Sequence, residues 1–101
     1  MSLELGNYLF EGPYDTIAAL ADQPGIFIVF CHVEDDYRGL DCGGAKAVRS
    51  AVEQHRRRPA WEGACTGRLV YAALYTEQEH AAVVRDLRSR YKFPCREPTP
   101  T

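Results

Sequence analysis

A run of arginines beside the single tryptophan is the part of the sequence whose residue types could do chemistry. Arg56, Arg57 and Arg58 are consecutive. Arg49 precedes this run by seven residues, and Trp61 follows it by three. An arginine can grip a phosphate with two parallel hydrogen bonds, and an indole ring can stack on a base. The stretch therefore predicts a contact with nucleic acid or another polyanion through these five residues.

A structural role explains the same residues without any ligand. The spacing of Val48, Ala51, Val52 and His55 predicts a helix over 45–55, and cations are favoured at the C-terminal end of a helix by its dipole. A lone tryptophan more often fills a core than binds a base. The sequence by itself leaves both interpretations open.

The elements around this stretch follow from apolar runs and the residues that interrupt them. Residues 25–33 are apolar on both alternating faces and predict a central strand. The polar turn at 34–36 is so short that the next strand, over 37–42, must be antiparallel to it. Residues 69–75 predict a third strand. A capping-box spacing from Thr76 predicts a helix over 77–91.

Weaker signals complete the fold prediction. Residues 3–10 predict a short edge strand that Gly12-Pro13 breaks, residues 15–21 a short helix, and residues 56–68 a loop. The element order predicts an α+β fold, in which helices flank a small antiparallel sheet of three core strands with a possible N-terminal edge strand.

Size, charge and hydropathy limit the class of protein. The chain of 101 residues fits one domain over 1–101, with a core at about 24–95 and a frayed tail at 96–101. The net charge of −2 argues against a protein that binds nucleic acid over its whole surface. No apolar run approaches the length of a membrane span, and the first residues lack the features of a signal peptide. A soluble cytoplasmic protein without membrane contact is expected.

The cysteines and histidines provide no recognisable catalytic or metal motif. The four cysteines are widely spaced with no C-x-x-C pair, which predicts thiols that are neither disulfide-bonded nor bound to zinc. No Ser-His-Asp or Cys-His relay can be assigned. The expected cofactor set is therefore empty.

Four segments occur in the order that GIY-YIG nucleases have. They are PGIFIVF at 24–30, AVRSAVEQHRRRPAW at 47–61, LVYAALYT at 69–76 and RDLRSRYKFPC at 85–95. Over residues 24–95 the chain resembles a small stand-alone member of that superfamily. The resemblance implies a three-stranded antiparallel sheet with flanking helices. It also implies metal-dependent cleavage of DNA phosphodiesters, in which a hard divalent cation with oxygen ligands acts as Lewis acid.

Carried over position by position, the resemblance retains Arg49, the phosphate-steadying arginine of the family. Phe27 occupies the first tyrosine position, and Val84 occupies the position of the metal-binding glutamate. The second signature is either Tyr37-Arg38-Gly39 or Asp41-Cys42-Gly43. The catalytic candidates by resemblance are therefore Arg49, Asp41 and Tyr37.

These departures predict a domain without ordinary nuclease activity, because a valine cannot ligate a cation. Weak binding of DNA or another polyanion is the leading expectation. One alternative is a protein-interaction module that has kept only the fold. The other alternative is a nuclease with a rearranged site that uses Asp41. Of these three functions, only the nuclease would need a divalent metal such as Mg²⁺.

Overall fold

The computed structural model of the protein describes residues 2–95, which form one antiparallel sheet with helices on both faces. Its strands are β1 (Ser2–Leu5), β2 (Tyr8–Tyr14), β3 (Gly25–Val33), β4 (Asp36–Ala45) and β5 (Arg68–Tyr75). Its helices are α1 (Val48–Glu53), α2 (Arg58–Ala64) and α3 (His80–Arg90), and a 3-10 turn covers Ile17–Ala19. The strand order is β1-β2-β5-β3-β4.

Strand β3 lies inside the sheet, as its sequence predicts. It pairs antiparallel with β4 on one side and with β5 on the other. Residues 25–31 of this strand are all buried. A strand covered on both faces has to be apolar at every position, which explains the unbroken run GIFIVF.

The core has two halves, one on each face of the sheet. On one face α3 covers a cluster of Phe10, Ile26, Ile28, Phe30, Cys42, Val70, Ala72, Val84, Leu87 and Phe93. On the other face α1 and α2 cover a cluster of Leu20, Phe27, Val29, Cys31, Leu40, Val48, Val52, Trp61, Tyr71 and Ala73. Alternate residues of β3 therefore belong to opposite halves of the core.

A β-bulge in β4 changes which side chains face α2. Val29 pairs with Asp41 whereas Phe30 pairs with Gly39, which leaves Leu40 as an extra residue. Leu40 packs in the cluster on the α1 and α2 face, and Asp41 hydrogen-bonds to Trp61 of α2. The bulge thus directs a carboxylate as well as a leucine into that half of the core.

The α+β class is confirmed, with differences in the elements. The predicted core strands correspond to β3, β4 and β5. The sheet of the described residues nevertheless has five strands, because the predicted edge strand at 3–10 is instead the antiparallel pair β1 and β2, and β2 continues through the cis Gly12-Pro13 bond. Only a 3-10 turn forms within 15–21, and the predicted loop at 56–68 contains α2. The tail at 96–101 lies outside the described residues.

Among residues 2–95, no helix is long and apolar enough to cross a membrane.

The prediction of four thiols is wrong for Cys31 and Cys65, which form a disulfide. The bond joins β3 to the residue that ends α2, across 34 positions of sequence. Cys42 and Cys95 are not part of it. Because disulfides persist mainly in oxidising compartments, the bond weighs against the cytoplasmic location, which stays a prediction.

Candidate functional site

Arg57 and Trp61 of the basic stretch satisfy one buried carboxylate. Asp41 is fully buried and accepts hydrogen bonds from Arg57 Nε at 2.8 Å and Trp61 Nε1 at 2.9 Å through Oδ2. Its Oδ1 accepts from the Cys42 amide at 2.8 Å and from Arg57 Nη2 at 3.3 Å. Both carboxylate oxygens thus have two donors each. This arrangement is a structural ion pair, because a buried carboxylate needs such partners.

Trp61 is part of the core. Its side chain is 1% exposed and packs against Phe27 and His55, with ring centroids 6.5 and 4.9 Å away. A base cannot reach either face of an indole in this position. The assignment of Trp61 as a stacking residue for nucleic acid therefore needs correction, since the ring fills space and its N–H holds Asp41.

Arg58 bonds a backbone carbonyl five residues before it in the chain. Its Nη1 donates to the carbonyl oxygen of Glu53 at 2.6 Å, at the C-terminal end of α1. Carbonyls at a helix end lack partners within the helix, so a cation there is stabilising. Arg56 is exposed in the turn between α1 and α2. The structural explanation therefore accounts for Arg57, Arg58 and Trp61.

Arg49 lies near Asp22, close enough for its charge to act on the Asp22 carboxylate. The Asp22 carboxylate accepts hydrogen bonds from the Ser50 amide at 2.9 Å and from Ser50 Oγ at 2.8 Å. The Ser50 backbone hydrogen bond is the main reason why the pKa of Asp22 lies below its usual range, and the Arg49 charge adds to the shift. Asp22 thus satisfies one amide in the first turn of α1, that of Ser50.

A cleft of about 1030 Å³ lies between the end of β4, α1 and α3. Phe27 lines it and is 2% exposed, with Gly43 of β4 against its ring. A Cβ on Gly43 would lie 2.9 Å from Phe27 Cζ, closer than side chains approach, so a larger residue here would displace the buried Phe27 ring. Val84 of α3 lines the same cleft.

Three cations around the cleft have no acidic partner. Lys46 follows β4, and Arg85 and Arg88 lie one turn apart on α3. Within residues 2–95, none of these three forms a salt bridge, and no acidic residue lines the cleft. Cations that no carboxylate neutralises make the cleft positive, and a concave shape concentrates that potential.

Arg88 is the most constrained of the three. Its Nη2 donates to the carbonyl oxygen of Cys42 on β4 at 3.1 Å. Its Nε is buried and has no hydrogen-bond partner among the described residues. A buried N–H donor without a partner is costly, and an anion in the cleft is one way to satisfy it.

His55 adds a neutral donor to the cleft. Burial is the first cause that holds the pKa of His55 below its usual value, and the neighbouring Arg57 charge is the second. Its Nδ1 accepts a hydrogen bond from the Arg57 amide at 3.1 Å. The neutral ring therefore carries its proton on Nε2.

The structure brings together some of the residues selected by the resemblance and separates others. Phe27 and Val84 line the cleft, whereas Arg49 does not. Residues 41–43 pair with residues 27–29 of β3 and contribute Gly43 to the cleft. Tyr37 pairs with His32 at the far end of β4, outside the cleft. Of the three catalytic candidates, none lines the cleft.

The divalent cation that the resemblance implies does not fit these residues. Both oxygens of Asp41 accept hydrogen bonds from buried or partly buried donors, and the Val84 side chain has no donor atom for a metal. Among residues 2–95, no three His, Cys, Asp or Glu side chains are grouped so that they could hold a metal ion. No chemical step is therefore assigned to a metal.

Comparison of the chain with protein-family models, with curated proteins and with solved structures found no match. A proposal about function therefore has to be argued from the geometry of the site. Sequence reasoning missed Lys46, Arg85 and Arg88 because Lys46 lies about 40 residues before the two arginines of α3. Their signal was the helical spacing of 81, 84, 85 and 88, which places both arginines on the face of α3 that carries Val84.

Proposed function

We propose that this chain is a nucleic-acid-binding domain that holds backbone phosphates in the cleft between β4, α1 and α3. The observation that carries the proposal is the group of Lys46, Arg85 and Arg88 around the cleft, with no carboxylate partner among the described residues. Regularly spaced phosphates are the ligand that several such cations fit together.

The geometry of Arg88 supports a phosphate ligand. The hydrogen bond to Cys42 fixes the guanidinium before any ligand arrives, so little side-chain entropy remains to be lost on binding. Its buried Nε gains a partner only if an acceptor enters. Phosphate oxygens are strong acceptors for a guanidinium.

A relationship to GIY-YIG nucleases is part of the proposal. It is supported by the adjacency of β3, β4 and β5 in the sheet and by the presence of both Phe27 and Val84 in one cleft. In this interpretation, the cleft corresponds to the nuclease site without its metal ligand. Binding then remains while cleavage is lost, and DNA with Mg²⁺ or Mn²⁺ is expected to stay intact.

The test is a titration of fluorescently labelled DNA by anisotropy at several salt concentrations. Three phosphate contacts predict a log-log slope of roughly −2 to −3, with affinity on the order of micromolar or weaker. Arg85→Gln is expected to reduce the magnitude of the slope by about 1, because one contact is lost. Arg68→Gln is the matched control, since Arg68 pairs with Asp15 on the surface and does not line the cleft.

Two results would contradict the proposal. One is the absence of binding to single- or double-stranded DNA or RNA at low salt. The other is equal slopes for the wild type, Arg85→Gln and Arg68→Gln. Binding to poly-glutamate without any binding to nucleic acid would favour the protein-interaction module, since an acidic protein segment then fits the same cations.

A further inference from the structure

A second groove adjoins the cleft and shares Arg88 with it. The groove has a volume of about 700 Å³ and lies between the first half of β4 and the segment that follows α3. Arg88 lines both the cleft and the groove. Arg88 can therefore contact a ligand in either of the two.

Tyr37 forms one wall of the groove with a ring that is already held in place. It stacks on His32 with ring centroids 4.2 Å apart and planes 5° apart. The ring of Phe30 meets it edge-on at 6.4 Å. The Tyr37 side chain is nevertheless 50% exposed. An aromatic ring that is fixed on one face and open to solvent elsewhere can stack on a flat ligand at little cost in entropy.

The floor and the opposite wall of the groove are also aromatic. Phe93 is buried and packs on Gly39, where a Cβ would lie 3.1 Å from Phe93 Cε1. Tyr91 follows α3 directly, lines the groove and is 37% exposed. Its amide bonds the Leu87 carbonyl, which anchors this segment to the helix end. The groove is therefore preformed.

The charge of the groove has one sign. Arg38, Arg88 and Lys92 line it, and no acidic residue does so among the residues that the structure describes. Flat aromatic surfaces combined with cations suit a ligand that has both an aromatic ring and a negative charge. Each unit of a nucleic acid has both, whereas an acidic side chain has only the charge.

We infer that the groove binds an unpaired base of a single-stranded nucleic acid, whose neighbouring phosphates lie at Arg88 and in the cleft. The inference rests on the proposed function, because the cleft supplies the phosphate contacts. A base within a duplex is stacked and paired, so it cannot reach Tyr37 unless it leaves the helix. The domain should therefore prefer single strands over duplexes.

The experiment compares three labelled ligands of equal length by anisotropy: a single strand, a duplex, and an abasic strand that has phosphates without bases. Wild-type protein should bind the single strand most tightly. Tyr37→Leu keeps apolar bulk and removes the ring, and should weaken single-strand binding roughly 5- to 100-fold. The same substitution should leave abasic-strand and duplex binding unchanged. Tyr37→Phe should retain single-strand binding, because stacking does not need the hydroxyl.

Leu9→Ala is the control for a general effect of an exposed apolar residue, since Leu9 is 59% exposed and lines neither the groove nor the cleft. Equal affinities for the three ligands, or no loss in Tyr37→Leu, would overturn the base-binding inference and leave phosphate binding in the cleft intact. No binding to any of the three would overturn the proposed function as well. An unchanged thermal midpoint in Tyr37→Leu would show that the variant is folded.

Discussion

The cations of the basic stretch at 55–61 differ from Lys46, Arg85 and Arg88 in what they contact, although His55 and Arg57 of the stretch also line the cleft. In the stretch, Arg57 is paired with a buried carboxylate and Arg58 bonds a helix-end carbonyl. Around the cleft, within residues 2–95, Lys46, Arg85 and Arg88 have no carboxylate partner. The sequence concentrates charge in the first region, but the structure leaves charge available for a ligand in the second.

The difference shows that the density of charge in a sequence is a poor guide to a binding site. A charge that is paired within the fold is already neutralised by its partner. An unpaired charge on a concave surface can still bind an ion of opposite sign. Whether a charge is paired depends on residues far away in the chain, such as Asp41 for Arg57. Each prediction below separates the two regions by substituting or perturbing one of them.

The largest effect is expected from Asp41→Ala. The substitution removes the buried carboxylate that accepts hydrogen bonds from the Arg57 guanidinium and the Trp61 N–H. We expect a loss of about 3–5 kcal/mol in the free energy of unfolding, measured by chemical denaturation. Asp15→Ala breaks the exposed pair with Arg68 and should cost at most about 1 kcal/mol. Equal losses in the two variants would contradict a structural role for Asp41.

The next effect is expected from reducing the Cys31–Cys65 disulfide. A crosslink that spans 34 residues stabilises by about 3–4 kcal/mol through the entropy of the unfolded chain. Reductant should lower the free energy of unfolding by that amount and have no such effect on a Cys31→Ala/Cys65→Ala variant. Affinity for DNA under native conditions should change less than about twofold, because neither cysteine lines the cleft. A large loss of affinity on reduction would show that the two regions are coupled.

The smallest effect concerns pH and His55. Its folded-state pKa lies below the value near 6.5 that is usual for the unfolded chain, mainly through burial. Below that value the unfolded chain binds a proton that the folded protein does not, so stability should fall as pH decreases from 7 through the unfolded pKa. Unfolding measured at pH 7.5 and 5.5 should show a weaker pH dependence for His55→Gln than for the wild type. Identical dependence would contradict this role.

Much of the fold was predictable because the buried strand β3 has an unbroken apolar sequence. Its residues 25–31 are buried, and the predicted bounds, 25–33, are those of the structure. Helix α2 was not predictable in the same way, because Pro59 and Gly63 read as loop residues. Pro59 fits the first turn of a helix, where its missing N–H is not needed. The packing of Trp61 in the core then stabilises a helix that local propensity alone would not form.

The candidate site was predictable only in part. Phe27 and Val84 were selected from the sequence, and both line the cleft. The bulge at Leu40 was not visible in the sequence, and it places the neighbouring Leu40 and Asp41 in the same half of the core. A period-two pattern assumes an unbroken register, so one extra residue is enough to reverse the side on which a carboxylate lies.

The central claim is that the cleft cations, and not the basic stretch, bind phosphate. Its most direct test compares Lys46→Glu/Arg85→Glu with Arg56→Glu/Arg58→Glu, which change the net charge by the same amount. At about 0.1 M salt, each lost phosphate contact forfeits roughly one power of ten in affinity. We predict a loss of DNA affinity of about tenfold to hundredfold for the first variant and a much smaller loss for the second. Equal losses, or a larger loss for the second variant, would contradict the account.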